Sequence, residues 1–406
     1  MDLHTVSEYK DSVAAILSGI DLNNVSDLNG ALERAASVMV QKADIPETSF
    51  IQNITLYSGV FDYACDPRIF GTAINDIRPQ GISRNPSDYV LKVNQQDFDR
   101  TKNFYYPSGT MSTFQYQNGQ PIIRVVAPFP PQSVRLDPMN AIGTSPYEWV
   151  AAGTASGLVK DSTDFYQSPA SLRFQLGTGV GTLTKTLQTP DSMADYENVG
   201  VAFLAIEIPT GADATDLTSI SLKLGSDSSN YDTVTVTEGF LGAWQAGQWL
   251  LVAFNFDGAA STGTPNWSSI QYIQVSLTAS AAFSNFRVGS LFMSLPSPAQ
   301  ILGQTSAIFL PVGGTDTTTR ITANTDTIIL NNAAYAIYTY EGALAVLQQT
   351  GGGAGDSTRA SILQMLNGGG TELGLYPMFR GDNPSQELRQ VGSWYDNETG
   401  YNNYGW

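Results

Sequence analysis

Between residues 146 and 296 the chain alternates short strand-like runs with Gly/Ser/Asp turns. The runs are ASLRFQL, GTLTKTL, VAFLAIEI, SISLKL, TVTVT, WLLVAFNF, IQYIQVSL and FSNFRVGSLFM. Eight such runs, spaced by turn residues and lacking helical periods, predict an antiparallel sandwich or jelly roll. In QWLLVAFNF, period-two alternation puts Leu250, Val252, Phe254 and Phe256 on one face. Trp249, Leu251, Ala253 and Asn255 fall on the other. Pro146 and the LPSP at 295–298 bracket the segment.

The flanks read differently. Tyr9, Val13 and Ile16 recur at helical spacing, and Ser26 is an N-cap candidate before Leu28, Leu32, Ala35 and Met39. Strand-like runs follow from Ile51, and TFQYQNGQPIIRVV reads as a hairpin turning at Asn118-Gly119. After the sandwich, Ala333, Ile337, Tyr340, Leu344 and Leu347 make one apolar helical stripe. GGGAG at 351–355 ends that helix, and Asp356 caps another.

Neither flank has enough periodic elements to close a core alone. The expectation is an α+β chain whose core is split in sequence. Residues 1–145 form its first half, 146–296 the inserted all-β sandwich, and 297–380 its helical second half. An extended aromatic arm, 381–406, follows.

Only 14% of the 406 residues are charged, so the surface must be polar but largely uncharged. The net charge of −17 lacks the basic footprint of a nucleic-acid binder and disfavours an anionic membrane surface. Residues 146–296 carry 5 Lys+Arg against 13 Asp+Glu, net −8. The N-terminus has no signal-peptide pattern, and the longest apolar run, 199–208, is half a membrane span. One cysteine, Cys65, and one histidine, His4, leave no cysteine-based zinc site and no His-containing triad away from the terminus. GTGVGT (177–182) and GGAGDST (352–358) lack phosphate-loop spacing and read as turns. GSDSSNYDTV (225–234) lacks the fixed positions of a calcium loop and reads as solvated. The expectation is no enzyme, no cofactor and no metal.

Two sets of aromatics are the candidate contact residues. Trp244, Trp249 and Trp267, with Asn255, are the candidates for stacking and hydrogen bonding to a glycan. In the tail GSWYDNETGYNNYGW, Trp394, Tyr395, Tyr401, Tyr404 and Trp406 are spaced to anchor an arm on a neighbouring subunit.

The pieces SPASLRF (168–174), GAWQAGQWLLVAFNF (242–256) and FSNFRVGSLFM (283–293) resemble jelly-roll carbohydrate-binding and galactose-binding-like modules. SNFRVG stands where those modules often carry an acidic pair in the last strand. The flanking pieces DLNGALERAASVMVQKADIP (27–46), GVFDYACDPRIFGTAINDIRPQG (59–81), TANTDTIILNNAAYAIYTYEGALAVLQQ (322–349) and FRGDNPSQELRQVGSWY (379–395) resemble neck or head-to-tail connector proteins of tailed bacteriophages. That resemblance implies a non-catalytic virion protein, assembled in the host bacterial cytoplasm as a ring against portal and tail proteins. The alternative is a virion module that recognises a cell-surface glycan.

Overall fold

The structure is a computed structural model. It describes residues 4–377 except 19, 44, 80–89, 93–109, 118–119, 127–132, 144, 146, 167–169, 351–355 and 370–371. The arm anchors Trp394, Tyr395, Tyr401, Tyr404 and Trp406 lie outside the described residues, as do the Asn118-Gly119 turn and the 351–355 glycines. Strands dominate, and the helices longer than one turn belong to the two flanks.

The flanks meet. Strand β1 (His4–Thr5) leads into helix α1 (Val6–Ile16), and α2 spans Leu28–Lys42. Thr5 and Glu8 cap α1 reciprocally, each side chain bonding the other's backbone N–H. At α2 the cap is Asp27, which accepts from Gly30 N; the expected Ser26 lies one residue too early to reach it. From the far end of the chain come α3 (Asn332–Thr350) and α4 (Asp356–Asn367). All four helices share one apolar cluster, with Tyr9, Leu32 and Met39 packed among Ile337, Tyr338, Leu344 and Ile362. The expected stripe on α3 is rotated by one position at its start: Ala334 is buried while Ala333 is exposed, and Tyr338 takes the central place. Tyr9 and Tyr338 stack at 4.1 Å, and the Tyr9 hydroxyl donates to the Tyr338 carbonyl at 3.0 Å. Each large side chain so buried contributes roughly 1.5–3 kcal/mol. A core of this kind requires both flanks.

A sheet joins them as well. Strands β2 (Ser49–Leu56) and β4 (Ile69–Pro79) come from the first flank. Both pair with β18 (Ser297–Thr305), which follows directly on the sandwich. Strand β3 (Asp62–Ala64) pairs with β7 (Gln120–Val126), which forms a hairpin with β6 (Thr110–Gln117) closing at Gln117 and Gln120. Strand β5 (Val90–Lys92) runs parallel to β6.

The sandwich begins earlier than its sequence boundary, because β8 (Ser133–Asp137) pairs with its last strand. Its other strands are β9 (Val150–Asp161), β10 (Ser171–Asp191), β11 (Val201–Glu207), β12 (Leu217–Asp227), β13 (Asn230–Val236), β14 (Trp249–Asn255), β15 (Ala260–Thr262), β16 (Ile270–Ala279) and β17 (Phe283–Ser294). Sheet one runs β14-β11-β17 and then the first part of β10. Sheet two runs from the second part of β10 through β16-β12-β13-β15. ASLRFQL and GTLTKTL are therefore one bent strand rather than two. The GTGVGT stretch between them carries the bend: Gly179 sits at φ +103°, and a side chain at Gly181 would fall 2.5 Å from the Leu176 side chain. Glycine lets the strand pass from one sheet to the other without a turn. Between the sheets lie Phe174, Leu204, Ile206, Val252, Phe254, Phe286 and Val288.

Candidate functional site

The four glycan candidates do not converge. Trp267 is 3% exposed, stands edge-on to Phe256 and donates from Nε1 to Asp232 at 2.6 Å. This corrects its assignment: it seals the end of the sandwich core. Asn255 is exposed, but it lies at the opposite end of β14 from Trp249 and accepts from Asp257 N at 3.0 Å. Trp244 packs against the edge of the core, with Nε1 enclosed and without a hydrogen-bond partner.

Trp249 is held in place. Its Nε1 donates to Asp164 at 2.8 Å, and its benzenoid edge lies over Gly289, where no side chain intervenes. Beside it Arg287 gathers three carboxylates: Asp161 at 3.0 Å, Glu207 at 2.7 Å and Asp164 at 3.5 Å. Hydrogen bonds from Thr163, and then Arg287, hold the Asp161 carboxyl well below the usual range against the opposing effect of burial. Burial pushes Glu207 up, although Arg287 opposes it. Trp249 and Tyr166 line a cleft of ≈ 70 Å³ with Asp62, Phe240, Gln245 and Gln248. Burial pushes the Tyr166 hydroxyl up to about 12, with the Asp62 charge adding to it.

Most of this face of sheet one is already covered. Val201, Phe203 and Phe292 point outward by alternation and pack against Ile123, Val125 and Ile301 of the flanking sheets. A polymer could not lie along it.

Sheet two presents the other outer face, and here the register brings distant segments together. Ile220, Leu222 and Leu224 of β12 turn inward, as do Ile273, Val275 and Leu277 of β16. The residues between them face out in rows across β10, β16, β12 and β13. The rows read Thr186–Tyr272–Gly225–Tyr231, Thr184–Gln274–Lys223–Thr233 and Thr182–Ser276–Ser221–Thr235. Every position is a hydroxyl, an amide, glycine or one lysine. On a chain with 37 Asp+Glu, none is a carboxylate.

Local bonds fix these groups. Gln274 donates to the Thr184 hydroxyl at 3.1 Å, and the Ser221 and Thr235 hydroxyls lie 2.8 Å apart. The Tyr231 and Tyr272 rings, two strands apart, approach to 6.1 Å over Gly225. Lys223 Nζ sits 4.4 Å from the Tyr231 ring centroid and 3.3 Å from its hydroxyl. The Tyr231 hydroxyl is drawn below its usual range by a hydrogen bond with Thr262 and then by Lys223. The sequence reading missed this face because it weighed tryptophans. The available signal was the outward register of SISLKL, TVTVT and IQYIQVSL, where hydroxyls recur.

Among the described residues no group of three or more His, Cys, Asp or Glu could hold a metal ion. The Asp227 carboxylate instead caps its own hairpin, accepting from Ser229 N at 2.7 Å.

No family model matches the chain, and no curated protein matches it. Among solved structures it is similar to the family 30 carbohydrate-binding module of a Clostridium thermocellum cellulosomal cellulase. That similarity is 14% identity over 40% of this chain and 96% of that one, at a TM-score of 0.29. The family 11 carbohydrate-binding module of the same bacterium, solved with a β-1,3-1,4-mixed-linked tetrasaccharide, is 12% identical. It covers 40% of this chain and 94% of its own, at 0.29. A further match, from work on carbohydrate-binding modules of the β-sandwich superfamily, is 13% identical, covers 61% of this chain and 98% of its own, at 0.28. The structural neighbours are thus carbohydrate-binding jelly rolls, and at these identities and TM-scores they carry no argument about what this chain binds.

Proposed function

We propose that the sandwich binds a polysaccharide laid across sheet two, and that the protein acts as a glycan-binding module rather than an enzyme. One observation carries the reading: the open face of β10, β16, β12 and β13 is built from hydroxyls, one amide, one lysine, one glycine and a tyrosine pair, without a carboxylate. Sugar rings offer axial C–H groups to flat aromatic faces and hydroxyls to neutral donors and acceptors. A regular sheet holds those groups at fixed spacing, about 4.8 Å between strands, so little order is lost on binding. Titration calorimetry of the full chain against a glycan panel tests the reading. Binding that Tyr272→Ala weakens about tenfold supports it; a panel with no binder overturns it.

The second reading is a virion neck protein ringed against portal and tail proteins. The split helical core favours it, since both flanks are spent on one body from which the sandwich projects. The comparisons lend nothing to portal or tail partners. Native mass of the purified chain, alone and with a portal ring, tests this role; a chain that stays monomeric in both speaks against it.

A further inference from the structure

We propose that the glycan on sheet two carries an anionic substituent, a carboxylate or a sulfate, seated on Lys223. This rests on the reading of that face as the glycan site. Lys223 is the central charge of the twelve outward positions, flanked by Gln274 on one side and Thr233 on the other. It is half-buried, and no carboxylate of the described residues pairs with it. On this face it stands apart from the chain's paired cations. Lys42, Arg124, Lys185, Arg287 and Arg320 each reach an acidic partner within 2.8 Å. With 20 basic residues against 37 acidic ones, an unpaired cation in the middle of a face cleared of acids is a specific arrangement.

The ammonium is also held in place. Its position over the Tyr231 ring and beside the Tyr231 hydroxyl holds it on the β13 side of the face, next to the tyrosine pair. A ligand anion would gain a charge-assisted hydrogen bond from Lys223. A second bond would come from the Tyr231 hydroxyl beside it. The net charge of −17 works against anions at long range, but salt screens it over about 8 Å at physiological ionic strength. The contact at Lys223 therefore decides the local preference.

The test is an array of neutral, uronate-bearing and sulfated glycans probed with the full chain. A titration of oligogalacturonate and its methyl ester, which keeps the ring and removes the charge, then isolates the contact. The expected result is binding concentrated on acidic glycans, with the acid at least tenfold tighter than its ester. Lys223→Met removes that difference, Lys223→Arg keeps it, and Lys160→Met, on an exposed position away from the face, leaves it unchanged. Whether uronates or sulfates dominate the array identifies the anion. Binding confined to neutral glycans, or a preference for acids that survives Lys223→Met, overturns the inference while the glycan reading stands. An array with no binder overturns the glycan reading itself, and this inference with it.

Discussion

Tyr231 and Tyr272 stand on strands that do not touch, and they approach each other to 6.1 Å because the residue between them, Gly225, has no side chain. A methyl group there would fall 2.1 Å from the Asn230 carbonyl and 2.6 Å from Tyr231 Cα. Gly225→Ala must therefore displace backbone, at a cost of about 1–3 kcal/mol. The expected outcome is a lowered urea midpoint together with weakened glycan binding. A variant with unchanged stability would show that the two strands can part without loss.

The two aromatic sites separate cleanly by mutation. Tyr231→Ala and Tyr272→Ala should each weaken glycan binding about tenfold, equivalent to about 1.4 kcal/mol. Trp249→Ala, on the face covered by the flanks, should cost stability and leave affinity within about twofold, well inside that 1.4 kcal/mol. Calorimetry on the three variants reads both quantities, and the reverse pattern would move the binding site to the cleft.

Asp137 and Lys185 form an ion pair inside the sandwich at 2.5 Å, and the same carboxylate accepts from Trp149 Nε1 at 2.8 Å and Met139 N at 2.6 Å. Asp137→Ala strands a cation and two N–H donors. The expected loss is about 3–5 kcal/mol, read by chemical unfolding. Replacing both partners, as Asp137→Leu with Lys185→Met, should recover much of it.

Two neighbouring carboxylates give stability opposite pH slopes. Asp161 has a depressed folded pKa, so its contribution is complete above the unfolded value of about 3.9 and is lost as pH falls below it. Glu207 has a raised folded pKa, so its charged form costs stability at neutral pH, and that cost is relieved as pH falls through the folded value. Urea midpoints from pH 7 to 3 should therefore rise slightly at first and then drop. In Glu207→Gln the early relief should vanish and the late drop remain.

The split core predicts asymmetric truncation. A chain ending at residue 305 lacks α3 and α4, and with them Ile337, Tyr338 and Leu344, which pack on Tyr9 and Leu32. Its helical circular dichroism should collapse beyond the share of the deleted helices, while the near-ultraviolet signal of Trp149 and Trp267 in the sandwich persists.

Local patterns were readable wherever one strand decided its own faces. The alternation in QWLLVAFNF placed Val252 and Phe254 in the core and Trp249 on the outer face, as found. The fate of each tryptophan was not readable. Trp267 is buried because Asp232, 35 residues away, accepts its N–H; Trp249 is pinned by Asp164, 85 residues away. The polar face of sheet two is a product of register. Thr184, Gln274, Lys223 and Thr233 become neighbours only once four strands pair, and no local window contains them. The bend at 177–181 was misread for a related reason: glycines that end a strand and glycines that fold one look alike until the partners of Gly179 and Gly181 are known.

The way the sandwich is attached has a mechanical consequence. Its entry strand, Ser133–Asp137, lies against its exit strand, with Ser133 opposite Ser294, and the exit continues into β18 of the flanking sheet. A pendant on a single linker swivels. This one is hung from two chains leaving side by side, with Phe203 and Phe292 bedded against the body. Tension arriving from a bound polymer would be divided between the two connections. The binding face would keep its bearing on the body under load, as a bracket does and a flexible tether does not.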